Sequence, residues 1–217
     1  MIKLNAKWAS YPYIVWMILF TVLPLLLIIY FAFTDRTGAF TFDNIEQAAA
    51  YLPTLVKSIY LAAIATVICL VFAYPFAYAM SRLSFSRQKM MTMLVMLPMW
   101  MNFLLRTYAW QALLEDNGVI NSLLTSIGLS PLKLINTSGA VVLGMVYNYI
   151  PYMILPLYSV MTKIDKSLVE AAGDLGAGFF ATFRRVVLPL SMPGIISGTT
   201  MVFVPAVSTF VISGMLG

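Results

Sequence analysis

Five long stretches of this chain are free of charged side chains, apart from one interruption. The first lies between Lys7 and Asp35 and contains Tyr11 to Phe33. The second lies between Lys57 and Arg82. The third starts after Lys89, runs to Arg106 and continues uncharged to Glu115. The fourth spans Leu134 to Thr162, and the fifth starts after Arg185 and reaches Gly217. Each can cross about 30 Å of hydrocarbon as a helix, which takes about 20 residues. The runs are continuously apolar, whereas barrel strands would alternate, and in lipid a helix satisfies its own backbone hydrogen bonds. The pattern predicts an all-α polytopic membrane protein with five transmembrane helices. The first run reads as a retained span, because it exceeds the apolar core of a signal peptide and no small-x-small cleavage site follows it.

Composition agrees. Of 217 residues, 61% are hydrophobic and 10% charged, against 45–50% and about 25% in soluble domains. A water-soluble fold and a disordered chain are both excluded. The chain has no histidine, and its single cysteine is Cys69. Zinc and haem sites, Ser-His-Asp triads, Cys-His pairs and an internal disulfide are therefore ruled out. The net charge of +5 is explained by topology. Lys3, Lys7, Arg82, Arg87, Lys89, Lys163, Lys166, Arg184 and Arg185 fall on one side, and Arg36, Lys57, Arg106 and Lys133 on the other. The nine-residue side should be cytoplasmic. That places the N-terminus inside and Gly217 outside, and it leaves no need for a nucleic-acid partner. Ser213 to Gly217 reads as the start of an external loop, so the expectation is a chain that stops before a sixth helix. Residues 1–52 form an N-terminal span with an external loop from Thr34 to Val56 lying on the membrane surface. Residues 53–217 form the core, with a cytoplasmic loop over 163–189.

That loop carries the most information. Asp165 or Ser167 can cap a helix, and Ser167 with Glu170 has capping-box spacing. Leu168, Ala171, Ala172 and Leu175 fall on one helical face, with Glu170 and Asp174 together on another. Gly176 and Gly178 can end the helix. So short an amphipathic helix is not stable alone. Membrane-surface helices usually carry Lys and Arg on the polar face. Here that face carries Glu170 and Asp174, which predicts a groove on a partner protein. Glu170-Ala171-Ala172, Gly176 six positions after the glutamate, and Leu188-Pro189 closing the segment resemble the EAA loop of bacterial ABC importer permeases. Leu97-Pro98, Leu105 to Trp110, Met161 to Ala177 and Leu188 to Ile195 are similar to the spermidine/putrescine branch of that family. The resemblance covers most of the chain and is weakest in the first 50 residues.

It implies a type I importer permease fold in the bacterial cytoplasmic membrane, six spans in a complete subunit, and no enzymatic activity in this chain. The loop becomes a coupling helix docking in the ATPase, through Leu168, Glu170, Ala171, Ala172, Asp174, Leu175 and Gly176. The partners implied are a second permease forming a heterodimer, two ATPase subunits carrying ATP-Mg, and an extracytoplasmic binding protein. Gly173 and Gly178 stand where many relatives carry polar residues, which loosens the helix.

The residues add two absences. No G-x-x-x-x-G-K-[ST] sequence is present to bind ATP, and no carboxylate or histidine lies within a span to relay protons. Energy must come from a partner, which disfavours a self-contained carrier or channel. The same machine with another cargo, such as ferric iron, a phosphonate or thiamine, stays open. For the path, Arg106 interrupts an apolar run, and aromatic faces can hold amines or form an interfacial belt. Trp100, Arg106, Tyr108, Tyr147 and Tyr152 are the candidates, with Met90 to Met96 packing inward. The prolines Pro75, Pro98, Pro151, Pro156, Pro193 and Pro205 are read either as kinks along a pathway or as ordinary membrane-helix prolines.

Overall fold

The computed structural model describes residues 6–35 and 38–217. Lys3 and Arg36, counted above for topology, lie outside them. The described residues are helical apart from loops and one isolated bridge between Thr34 and Phe40.

The chain divides into two compact units, Met1–Val56 and Lys57–Gly217. In the first, α1 (Ala6–Met17) and α2 (Leu23–Ala32) are joined by a π-turn, Ile18–Val22. Tyr11–Ala32 is long and apolar enough to span, and none of its residues is buried. The loop beyond it folds back on its own polar groups. Asn44 Nδ2, in α3 (Asp43–Ala49), donates to the carbonyls of Phe31 at 2.9 Å and Thr34 at 3.1 Å. The rings of Phe33, Phe40 and Phe42 cluster beside it.

The second unit is built on three spans. They are α4 (Leu52–Ser81, entering from the first unit), α8 (Ser138–Met161), and the stretch Phe179–Val207, made of α10 (Phe179–Thr182), a π-turn (Phe183–Val187) and α11 (Leu188–Val207). Two core clusters order them. Leu61, Ala62 and Ala65 of α4 pack with Val141 and Met145 of α8, while Ala73, Ala77 and Met80 pack with Met153, Leu157 and Met161. The two helices therefore run parallel. α11 runs antiparallel to α8 and very close to it: a Cβ on Gly194 would lie 3.2 Å from Leu157 Cα, and one on Gly198 would lie 2.7 Å from Met153 Sδ. Small residues permit such approach between membrane helices. Pro75, Pro151, Pro156, Pro193 and Pro205 all sit inside helices that continue across them.

The third charge-free run departs from expectation. It is two helices, α5 (Phe85–Trp100) and α6 (Phe103–Leu114), which with α7 (Val119–Ser126) bend by 85° at Met101–Asn102. Pro98 lies in the last turn of α5, and Asn102 caps α6 by accepting from the backbone N–H of Leu104 at 2.8 Å and Leu105 at 3.4 Å. The cap offers the chain an alternative to continuing the first helix. The pair still reaches from one end of the bundle to the other. Val95 of α5 belongs to the cluster holding Met80 and Met161, and Leu114 of α6 to the one holding Leu61 and Val141.

Two further expectations are corrected. Ser213 to Gly217 is not a free loop: it lies in α12 (Phe210–Leu216), whose Ile212 and Leu216 are fully buried against α6 and α8. The amphipathic repeat Ile212-x-x-x-Leu216 suffices to seat one turn in the groove beside Gly144, where a Cβ would meet Leu216 Cδ1 at 2.5 Å. The methionines from Met90 to Met96 do not all pack inward either. Met91 joins the core, but Met90 and Met93 face outward, as the turning of a straight helix requires.

Candidate functional site

The segment after α8 forms one short amphipathic helix, as its pattern requires. α9 covers Lys166–Asp174. Asp165 is its cap, accepting from the Ser167 N–H at 2.9 Å. Ser167 is thus the second residue of the helix, and the Ser167–Glu170 capping box is not formed. Bonding from the Ser167 backbone and then its hydroxyl holds the Asp165 carboxyl below its ordinary range.

At the other end, Gly176 adopts φ +77°. Its N–H bonds the Gly173 carbonyl at 2.8 Å, and the Ala177 N–H bonds the Ala172 carbonyl at 3.0 Å. This left-handed stop satisfies carbonyls the helix would otherwise leave unpaired. Gly178 has an ordinary extended conformation and opens α10 instead.

α9 and the turn after it present a second stripe beside the predicted apolar face. Val169 and Gly173, together with Ala177, turn toward Tyr78, Phe183 and Val187, around a groove of about 190 Å³. Val169 is the residue the face analysis missed; it follows Leu168 and points to the chain's own helices. Ala172 is half-buried. Leu168, Ala171 and Leu175 remain exposed, Leu175 at 88%; Phe179, which also lines the groove, and Phe180 open the following span at 76% and 74% exposure. Glu170 and Asp174 are exposed beside them.

A second group lies at the opposite end of the bundle. Arg106 of α6 is 8% exposed, and its Nε and Nη1 make no hydrogen bond. Trp110, one turn on, meets the Tyr147 ring edge-on at 5.3 Å. Tyr149 and Tyr152 face each other at 6.3 Å, and the Tyr149 hydroxyl donates to the Pro205 carbonyl at 3.4 Å. Trp100 and Tyr108 are not part of this grouping: they stand 70% and 59% exposed, Trp100 as the last residue before the bend. Trp110 and Tyr149 join Arg106, Tyr147 and Tyr152 in the grouping; Trp110 follows Arg106 at i, i+4, a relation that spacing already offered.

The family described as binding-protein-dependent transport system inner membrane component matches residues 73–217. That stretch contains the α9 segment and both core clusters' C-terminal helices. The chain belongs to this family. Among its relatives, the spermidine/putrescine transport system permease protein PotB of Haemophilus influenzae is 40% identical over 212 residues, which are 93% of this chain and 74% of that protein. PotB of Escherichia coli is 39% identical, over 93% of this chain and 77% of its own length. The fold of this family member also matches a crystal structure of a bacterial ABC transporter involved in import of the acidic polysaccharide alginate, at TM-score 0.71 and 18% identity, over 94% of this chain and 73% of that one. A related structure, in complex with an alginate-loaded periplasmic protein, gives 0.63 at 20% identity. The chain shares its fold with these two transporter structures.

Proposed function

We propose that the chain is the membrane permease subunit of an ATP-driven importer of polyamines, spermidine or putrescine, in the bacterial cytoplasmic membrane. The observation that carries this is identity near 40% to polyamine permeases along almost the entire chain. The subunit works as a heterodimer with a second permease, receives cargo from an extracytoplasmic binding protein and binds no nucleotide itself; ATP-Mg sits on two ATPase partners. Residues 1–52 supply a peripheral span and external loop, and residues 53–217 the transport core, with the N-terminus inside.

In this reading α9 is the coupling helix. Leu168, Ala171 and Leu175 enter an apolar cleft of the ATPase, Glu170 and Asp174 meet basic side chains at its rim, and Gly176 sets the exit of the chain. ATP-driven closure of the ATPases displaces α9 and changes the balance between outward- and inward-open states. The path runs near Arg106, Tyr147 and Tyr152, with Trp100 and Tyr108 at its outer margin. A polyamine finds aromatic faces there and no span carboxylate, which suits passage rather than capture; affinity resides on the binding protein.

The test is reconstitution with the partner permease, ATPase and binding protein in liposomes. Labelled spermidine or putrescine should accumulate only with ATP and the loaded binding protein. Stimulation of the ATPase by a binding protein carrying a different cargo, with no polyamine uptake, would overturn the substrate and leave the machine.

A further inference from the structure

A displacement of α9 reaches the membrane helices through the backbone on either side of it and through side chains that join the two. Beneath α9, one face of α4 presents Tyr74 and Tyr78 four residues apart, and Arg82 follows in the turn just after the helix. Tyr78 lines the groove under Val169 and Gly173, and the Arg82 guanidinium lies over its ring at 5.0 Å. One turn deeper, the Tyr74 ring meets Phe183 edge-on, with centroids 5.5 Å apart. Phe183 is the first residue of the π-turn that links the cytoplasmic segment to α11.

The Tyr74 hydroxyl lies 2.7 Å from Ser191 Oγ, and Ser191 Oγ donates to the Leu188 carbonyl at 2.9 Å. Serine has one hydroxyl proton, so Tyr74 is the donor to Ser191. Ser191 is fully buried and Tyr74 nearly so. A single side chain of α4 thus spans the π-turn, holding its first residue, Phe183, by its ring and Ser191, one turn beyond its end in α11, by its hydroxyl. π-turns carry one residue beyond the α-helical repeat and recur where helices are functionally deformed. Here the deformable element is bridged by one rigid aromatic group.

We propose that Tyr74 is a positioning residue: its grip on Phe183 and Ser191 forces α4 and α11 to move together when α9 is displaced, converting ATPase motion into opening of the path. The proposal rests on the reading of α9 as the coupling helix.

The test uses the whole importer in liposomes and reads uptake per ATP hydrolysed. Tyr74→Phe keeps the ring and removes the bond. Stimulation of the ATPase by loaded binding protein should stay within twofold of native, while uptake per ATP falls at least threefold. Ser191→Ala should do the same, the double variant should be no worse than either, and Ser191→Thr should restore the ratio. If Tyr74→Phe does not assemble, Ser191→Ala and Phe183→Leu carry the test. A native ratio in any assembled variant lacking the contact overturns the proposal, and a lowered melting temperature with unchanged ratio reduces the contact to structural support. Absence of ATP-driven polyamine uptake in the native complex would instead count against the function proposed above.

Discussion

Gly176 gives the sharpest test of whether backbone shape or empty space matters in the coupling segment. Its φ of +77° is one that L side chains adopt only with strain. A Cβ added there would meet nothing within 4 Å, so within this chain a substitution costs conformational strain alone. For ordinary residues that strain is about 1–2 kcal/mol, and asparagine is penalised less because its side chain bonds locally. Since about 1.4 kcal/mol is a tenfold change, alanine should lower the population of the closed turn roughly fivefold, and a β-branched residue further. The turn fixes where Leu175 and Phe179 stand relative to α9. Stimulation of the ATPase by loaded binding protein should therefore follow Gly176 ≈ Gly176→Asn > Gly176→Ala > Gly176→Val in complexes that assemble equally. If Gly176→Asn fails as badly as Gly176→Val, the position serves as clearance for a partner surface and the strain argument is wrong. If Gly176→Val is native, neither account holds.

Four other outcomes follow from the geometry. Gly198→Leu should separate α8 from α11, because its Cβ alone would stand 2.7 Å from Met153 Sδ and 3.3 Å from the Met153 carbonyl oxygen; overpacking of about 1–3 kcal/mol should lower the melting temperature of the purified complex by several degrees, and an unchanged value would refute the close packing. Arg106→Gln should leave that temperature equal or higher, since it removes a buried guanidinium with two unpaired nitrogens, while uptake falls; a clear loss of stability would show that the charge is paired. The Asp165 carboxyl is held low in the folded chain, so its cap contributes at neutral pH and fades as pH falls from about 4 through its lowered value; amide exchange in α9 should distinguish native from Asp165→Ala at pH 7 but not in strong acid, and equal exchange at pH 7 would dismiss the cap. With Cys69 replaced, single cysteines at Ser86 and Asn117 should label from opposite sides of the membrane, and same-side labelling would show that α5 and α6 form a re-entrant hairpin.

The spans were legible because hydropathy is a long-range average that tolerates local irregularity. Pro75, Pro151 and Pro156 leave α4 and α8 whole, so counting apolar residues succeeded across them. The same averaging concealed the bend at Met101–Asn102, which depends on one capping side chain set just after Pro98. It also concealed α12, where two buried residues in one turn decide between loop and helix. Around α9 the period of 3.6 identified the helix and its stop at Gly176. The adjacent stripe through Val169, which lines the groove with Tyr78 and Phe183, was not legible, because sequence spacing does not say which of two adjacent stripes meets the chain's own helices. Trp100 and Tyr108 lie on either side of the bend, so a straight-helix projection does not show that they stand apart from the Arg106, Trp110 and Tyr147 grouping.

The exposed apolar side chains do not all carry the same meaning. On α1, α2 and the outer faces of α4 and α11, lipid is a sufficient environment, and exposure there says nothing about partners. Leu168 and Leu175 stand in the polar connection between two spans, beside Lys163, Asp165, Lys166, Glu170 and Asp174. There the surrounding medium is water, and apolar exposure is costly. Covering one such side chain gains roughly 1.5–3 kcal/mol, so the two supply about 3–6 kcal/mol, at the low end of the 4–15 kcal/mol lost when two proteins become one body. The contact is strong enough to position a partner and too weak to hold one permanently without help. In the coupling role proposed for α9, a shallow attachment of this kind would transmit force while the ATPase changes shape around it, because the docked helix could tilt without any buried charge having to be stripped or restored. In that role the acidic residues on α9 would choose the partner and the orientation, and the apolar ones would bear the displacement.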